Sequence, residues 1–365
     1  MTTGVQHLLP CAEPVRFLDD QGQRVDPGAE AQGRGYAFPS DDDLLAVWRQ
    51  MVIGRRFDTQ ATALTKQGRL AVYPSSRGQD ACQVGPVLAL EDDDWFFPTY
   101  RDSMALISRG LDPVEVLTLL RGSWHCGYDP VATRTAPQCT PLATQAVHAA
   151  GAGHGLARRG STGVALCFIG DGATSEGDFH EGLNFAAVFN TPTVFFVQNN
   201  KYAISVPLDK QTKAPSLAYK GVGYGVRSEQ VDGNDPAAVL AVTRAAYEHA
   251  RSGNGPVLIE AHTYRLEAHT NADDATRYRG AEEVTEWSGR DPIARLRTYL
   301  TGTGTLTAEV EEQVAAQAED YAGRLRERMN AEPEVAPLSL FDHVYAEPTP
   351  QLREQAAMVA QEVQS

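Results

Sequence analysis

The chain is poor in cysteine: Cys11, Cys82, Cys126, Cys139 and Cys167 are all that 365 residues hold. None forms a CxxC pair and none stands at zinc spacing. Neither a zinc module nor a disulfide framework is therefore expected, and free thiols in a reducing compartment, the cytoplasm, fit best. Basic residues are also short, with 32 Lys and Arg against 47 Asp and Glu and a net charge of −15. Nucleic-acid binding requires basic patches that are missing here, which excludes that class of partner. No apolar run approaches the roughly 18 residues of a membrane span, so no membrane role is expected. The opening MTTGVQHLLPCAEP lacks a basic segment followed by a long apolar core and is not Arg-rich, so no secretory signal or transit peptide is read. A dinucleotide fingerprint is missing as well. Gly151, Gly153 and Gly155 in QAVHAAGAGHGLARR have GxGxG rather than GxGxxG spacing, continue a helical pattern, and have no closing acid. They point to close packing of a helix on a sheet.

What is present is a hydrophobic content of 42%, enough for a large core in one α/β domain with appendages. Residues 1–40 are rich in Gly, Pro, Asp and Gln without periodicity and read as an extended arm, of the kind that lies on a partner. Residues 41–345 read as the domain and 346–365 as a C-terminal helical tail. After Ser40 an acidic first turn and apolar residues at helical spacing begin one or two helices. The run VLIEA, Val257–Ala261, predicts a buried strand, preceded by a helix Pro236–Arg251 with Asn234 or Asp235 as cap. Beyond that strand stand Arg265, His269 and a polar stretch NADDATRYRG, which has no apolar anchors and predicts a mobile loop beside the same crevice as the motifs below. The charged segment Leu306–Asn330, acids early and arginines late, predicts a solvated or partner-facing helix.

Two motifs carry the chemistry. GDGATSEGD at Gly170–Asp178 follows the apolar run VALCFI, and QNNKYAIS at Gln198–Ser205 follows TVFFV. Both runs are short, β-branched or aromatic, and bounded by turn residues, as buried parallel strands are. Each motif thus falls just past a strand's carboxyl end, where open α/β sheets bind ligands. A helix Glu176–Asn190 comes between, burying Phe179, Leu183, Ala186 and Ala187. Gly170 and Gly172 let backbone approach a phosphate closely, and Asp171 with the Asn200 amide offers the hard oxygens that Mg²⁺ takes alongside phosphate. Alone, a GDG also makes an ordinary turn.

The spacing of GDG and NN, with 26 residues between them, resembles the thiamine diphosphate motif. The text GDFHEGLNFAAVFNTPTVFFVQNNKYAISVP then resembles, nearly residue for residue, the alpha subunit of 2-oxoacid dehydrogenases, the decarboxylating component of branched-chain and pyruvate complexes. The likeness runs from Phe57 or thereabouts to Tyr345. It implies a thiamine diphosphate-binding α/β fold: a mainly parallel sheet flanked by helices, with an N-terminal arm and C-terminal helices. It implies Mg²⁺ on the side chains of Asp171 and Asn200 and the carbonyl of Tyr202. It implies diphosphate contacts from Gly170, Gly172 and Ala173, further cofactor contacts from Tyr100, Arg101, Gln198 and Arg265, and Thr140 and Leu142 on the pyrimidine side. His269 aligns with a loop histidine that reaches the diphosphate and the reacting centre, the catalytic residue of this half-site. Cys139, Pro141, Thr144 and Gln145 match a monovalent-cation site, for K⁺, of branched-chain members.

The resemblance also implies partners. No segment reads as the second cofactor half with its activating glutamate, which the family keeps on a beta subunit. The expected assembly is two alpha and two beta chains on a lipoyl acyltransferase core, acting on a small 2-oxoacid. The segment QGRLAVYPSSRGQDA at Gln67–Ala81 is closer to the branched-chain pattern than to the pyruvate one, and Tyr73 with its neighbours is expected to line an apolar pocket wall. Three positions depart from the family: Cys139 replaces a serine, and a thiol is a poor ligand for a hard cation; Gln198 stands where an arginine often meets phosphate; and GSWHCGYD replaces a longer stretch, leaving His125 either as a substitute or as merely structural. Thr270 and Gly280 stand where animal members have kinase-target serines, so control by phosphorylation is not expected.

Overall fold

The computed structural model describes residues 5–123, 125–331 and 336–364. The first four residues of the expected arm and Ser365 of the expected tail lie outside them. The strands are β1 (Trp95–Phe97), β2 (Ala165–Gly170), β3 (Thr193–Asn199), β4 (Tyr202–Ala203), β5 (Val206–Pro207), β6 (Arg227–Asp232) and β7 (Val257–His262). Helices of eight or more residues are numbered α1 (Asp41–Lys66), α2 (Asp80–Leu88), α3 (Thr144–Arg158), α4 (Gly177–Val188), α5 (Pro236–Arg251), α6 (Ala281–Ser288), α7 (Pro292–Gly302), α8 (Ala308–Asn330) and α9 (Pro350–Gln364). No helix among the described residues is long and apolar enough to cross a membrane.

Five strands form one parallel sheet in the order β1-β2-β3-β7-β6, and β4 with β5 makes a small antiparallel hairpin. Strands buried on both faces are apolar runs, as β2 is and as residues 194–197 of β3 are, with Gln198 and Asn199 polar at the carboxyl end. On one face Cys167, Ile169, Phe195 and Val197 meet Ala146 and Ala149 of α3 and Phe179 and Leu183 of α4. On the other, Leu166, Phe168, Val194 and Phe196 join a larger core built from α1, α2, α5 and α7. After β3 the chain jumps to the far edge, forms β6, and returns through α5 to lay β7 beside β3. The carboxyl ends of β2, β3 and β7 therefore open into one crevice.

The glycine-rich helix behaves as its spacing predicts. A Cβ on Gly153 would stand 2.5 Å from Thr193 Oγ1 at the start of β3, whereas Gly151 and Gly155 face open space. Asp235 caps α5, accepting from Ala237 N and Ala238 N, with Pro236 in the first turn.

Two expectations are corrected. The arm is laid on its own domain: Val15 bridges Val231 of β6, and the amides of Phe17 and Leu18 donate to the Asp235 carboxylate at 2.6 and 2.7 Å. Cys11, Val15, Phe17 and Leu18 are buried there, because β6 would otherwise leave a bare edge. Nor is α8 solvated all round. Val314, Ala318, Ala322, Leu325 and Met329 recur every three to four residues and are buried, and α8 packs along α1. The charged majority that dominates its sequence occupies the outer face.

Candidate functional site

A cavity of about 490 Å³ lies at the carboxyl ends of β2, β3 and β7. Tyr100, Arg101, Thr140, Leu142, Gly170 and Asp171 line it, with Gly172, Ala173, Gln198, Asn200, Tyr202, Arg265 and His269. Residues from five separate stretches of chain, expected to act together, are thus in one place. Cys139 and Gln145 also reach it, while Pro141, Thr144 and His125 do not line it.

Asp171 closes β2 and is almost wholly buried, at 1% exposure. Burial raises its carboxyl group above the ordinary range, opposed chiefly by a hydrogen bond from Gln211 Nε2 at 2.7 Å. Among the described residues no ion pair reaches this carboxylate, though Lys201 and Arg265 act on it from farther off, and it suits a cation. Asn200 follows β3, accepting at Oδ1 from Tyr202 N at 3.2 Å and donating Nδ2 to Gln79 Oε1 at 2.8 Å. The backbone here is strained. Lys201 and Ile204 both have positive φ, 76° and 56°, uncommon for any side chain and an outlier for a β-branched one. The strain folds the turn into β4–β5, so that Ala203 covers Gly172; a Cβ on Gly172 would stand 2.6 Å from Ala203 Cβ. Among the described residues no three His, Cys, Asp or Glu side chains cluster to hold a metal. A cation here would have to draw on Asp171, an amide oxygen, a backbone carbonyl and oxygens of a ligand, which is the hard donor set that suits Mg²⁺.

Arg101 is buried and braces the opposite wall. It donates Nη1 to Ser75 O at 3.0 Å, and Nη2 to His269 O at 3.0 Å and His269 Nδ1 at 2.9 Å. A guanidinium has no acceptor, so Nδ1 must accept and the imidazole proton sits on Nε2. Burial, then the charges of Arg101 and Arg265, lower the His269 pKa to about 4, which keeps the ring neutral near pH 7. Tyr100 stands edge-on to it at 6.1 Å. Arg265 reaches the hairpin: Nη1 donates to Tyr202 O at 3.3 Å and Nη2 to Ile204 O at 2.7 Å, while Nε is buried without a partner.

The loop after β7 needs a correction. It has anchors, polar ones: Asp273 accepts from His269 N and Tyr278 OH, Arg265 donates to Tyr278 OH, and Arg279 donates to the carbonyls of Arg265, Leu266 and Glu267. Tyr73 is also corrected. It lies beneath the cavity wall with its hydroxyl on buried Asp58, and Val72 and Pro74 on either side line the cavity instead. In the expected monovalent-cation set three side chains are engaged as donors, while Gln145 Oε1 is buried with no partner among the described residues. The Cys139 thiol donates to Pro141 O at 3.0 Å, Thr144 donates to Asp178, and Gln145 donates to Phe168 O. Burial raises the Cys139 pKa, so it remains a neutral thiol. His125 accepts from Gly127 N at 3.1 Å in an exposed turn.

Sequence reasoning missed Gln79, Asp102, Gln211 and Ile204. The first two sit inside the motifs SRGQDA and PTYRDS, where their residue types gave a signal, and Ile204 is the one large apolar residue of QNNKYAIS. Gln211 gave none.

Comparison with known proteins came from two directions. The model of the family described as "Dehydrogenase E1 component" matches residues 48–337. The chain is 45% identical, over 96% of its length and 94% of the relative's, to the 3-methyl-2-oxobutanoate dehydrogenase subunit alpha of Mycobacterium tuberculosis. It is 38% identical, over 94% and 91%, to the pyruvate dehydrogenase E1 component subunit alpha of Bacillus cereus, and 37% identical, over 95% and 92%, to that of Bacillus subtilis.

Proposed function

This chain belongs to the dehydrogenase E1 component family, and from that premise we propose that it is the alpha subunit of a branched-chain 2-oxoacid dehydrogenase. The reaction is oxidative decarboxylation of 3-methyl-2-oxobutanoate or a close homologue, then reductive acylation of a lipoyl group on an acyltransferase. The observation that carries this is the meeting of Asp171 and Asn200 with the Arg101–His269 pair in one cavity, on a chain 45% identical to a relative of that name.

Thiamine diphosphate supplies, when bound, the ring that stabilises the carbanion left by loss of CO₂. Asp171, the Asn200 amide oxygen and the Tyr202 carbonyl would hold Mg²⁺ against its diphosphate. Backbone at Gly170, Gly172 and Ala173 would approach the phosphates, helped by Arg101, and the buried, unpartnered Nε of Arg265 offers one more donor. Thr140, Leu142 and Tyr100 form the apolar and aromatic side. Gln198, bonded within the wall, brings no charge. His269 holds its proton at Nε2, ready to donate to an oxygen that gains charge, while Arg101 fixes the tautomer and withholds a positive charge from the ring. A monovalent cation is left out, because the Cys139 thiol already satisfies Pro141 O and is a soft donor.

The activating glutamate must come from a beta chain, giving a heterotetramer in the cytoplasm docked on a lipoyl acyltransferase core. The wall at Val72 and Pro74 gives the pocket apolar lining. Each methylene buried there contributes about 1–3 kcal/mol, so kcat/KM for 3-methyl-2-oxobutanoate should exceed that for pyruvate by about tenfold or more. A substrate panel with the cognate beta chain and a dye acceptor tests this. A similar margin for pyruvate would replace the substrate with that of the Bacillus relatives.

A further inference from the structure

Asp102 has no part in the roles above, yet it is fully buried beside the cavity. Every hydrogen bond to its carboxylate comes from a donor: Thr99 N at 2.7 Å, Gln198 Nε2 at 2.7 Å and Gln83 Nε2 at 3.1 Å. An ionised carboxylate only accepts, so any amide that meets it must turn its NH₂ end toward it. That direction is handed on. Gln198 accepts at Oε1 from Gln79 Nε2 at 2.7 Å, and Gln79 accepts at Oε1 from Asn200 Nδ2 at 2.8 Å. Three buried amides run nose to tail from Asn200 to Asp102, and Asn200 has its nitrogen in the wall and its oxygen on the Tyr202 side.

We infer that Asp102 is a positioning residue for cation binding: its carboxylate orients the amides of Gln198, Gln79 and Asn200 so that Asn200 offers oxygen, not nitrogen, beside Asp171. Reversal of Asn200 alone would set NH₂ against a cation and carbonyl against the Gln79 carbonyl. Reversal of all three would set the Gln198 oxygen against the Asp102 carboxylate. Both leave buried acceptors facing each other, a costly arrangement in a low dielectric. Gln83 reinforces the end point, donating Nε2 also to Arg101 O at 3.1 Å, while its Oε1 has no partner among the described residues. The inference rests on the reading of Asp171 and Asn200 as cation ligands.

The relay has a polarity, and a polarity can be swapped. In D102N the new NH₂ end demands an acceptor from Gln198 and works against the native direction. In the double variant D102N/N200D, the amide introduced at position 102 keeps its oxygen for Thr99 N and donates to Gln198, while Gln83 Nε2 gives up position 102 and keeps Arg101 O as its acceptor. The two glutamines turn, and the carboxylate introduced at position 200 accepts from Gln79 while still giving an oxygen to the cation. The experiment uses the full chain assembled with its beta chain and thiamine diphosphate, with Mn²⁺ as probe and the free Mn²⁺ resonance signal as readout. D102N should lose affinity by about 10–100-fold, as changes behind metal ligands do, and the double variant should recover most of it. Wild-type affinity in D102N overturns the inference. So does a double variant no better than D102N, in Mn²⁺ affinity or in folding. D171A separates the two layers: if it binds Mn²⁺ like the wild type, the cation site itself is misread, whereas loss in D171A with none in D102N removes only the relay.

Discussion

His269 owes its neutrality to what surrounds it: a buried setting and two guanidinium groups hold its pKa near 4 against an ordinary 6.5. The sign follows from linkage. Between those values the unfolded chain takes up a proton that the folded chain refuses, so this residue's share of stability is present above pH 6.5 and is lost as pH falls through 4. His269→Gln should therefore flatten the fall in melting temperature between pH 6.5 and 4, measured against the wild type. The acid limb of kcat/KM should not sit near 6.5, since an imidazole already neutral well below that value has no proton to lose there. A limb at 6.5 that vanishes in the glutamine variant would contradict the assignment. Asp171→Ala and Asn200→Ala should each abolish Mg²⁺-dependent binding of thiamine diphosphate while the chain still folds; Asn200→Ala should also lower the melting temperature, because it leaves the buried Gln79 Oε1 without its donor; calorimetry on the assembled complex reads both. These proposed ligands were legible in the sequence because GDG and NN mark strand ends as well as chemistry. Asp102 and Gln79 were not, since a buried glutamine reads like an exposed one until its partner is known.

Among the elements, β2, β3 and β7 were legible because double-sided burial makes their middle residues largely apolar, with Glu260 of β7 the buried exception, held by Asn199 Nδ2 and Ala218 N, whereas β6, RSEQVD, hid in plain view. Its polar side chains are spent on the arm and on neighbours: Glu229 pairs with Arg34 and Arg227, Gln230 donates to Cys11 O, and Asp232 meets Arg16 and Arg295. No alternation rule finds such a strand. The α3 glycines allow a sharper test of element packing. Gly153→Ala should lower stability by about 1–3 kcal/mol, because its Cβ would intrude on Thr193 Oγ1, itself held by Thr191 Oγ1. Gly151→Ala and Gly155→Ala meet nothing within 4 Å and should raise it by about 0.5–1 kcal/mol. Denaturant titration of the three variants decides whether helix-on-sheet contact, rather than ligand approach, explains this run. In the loop after β7, Asp273→Ala removes the acceptor for His269 N and Tyr278 OH and should speed proteolysis around Asn271–Gly280.

For the molecule as a whole, the isolated chain should show no decarboxylase activity, and its beta chain should restore it; turnover by the alpha chain alone would overturn the split-site reading. The arm tied to β6 bears on how that partner can approach. Val15 bridges Val231 on the β6 edge, while Thr135 bridges Phe96 of β1 and Cys139 bridges Thr99 just beyond it. At both flanks of the sheet a visiting strand would meet backbone amides and carbonyls already in use at these bridges. Assembly of the proposed kind would then be negotiated by side chains on helices and loops, which encode identity, and not by backbone, which pairs with any comer. A chain cut before Asp26 would lose that selectivity and should self-associate through its bared edge, as light scattering during mild heating would reveal.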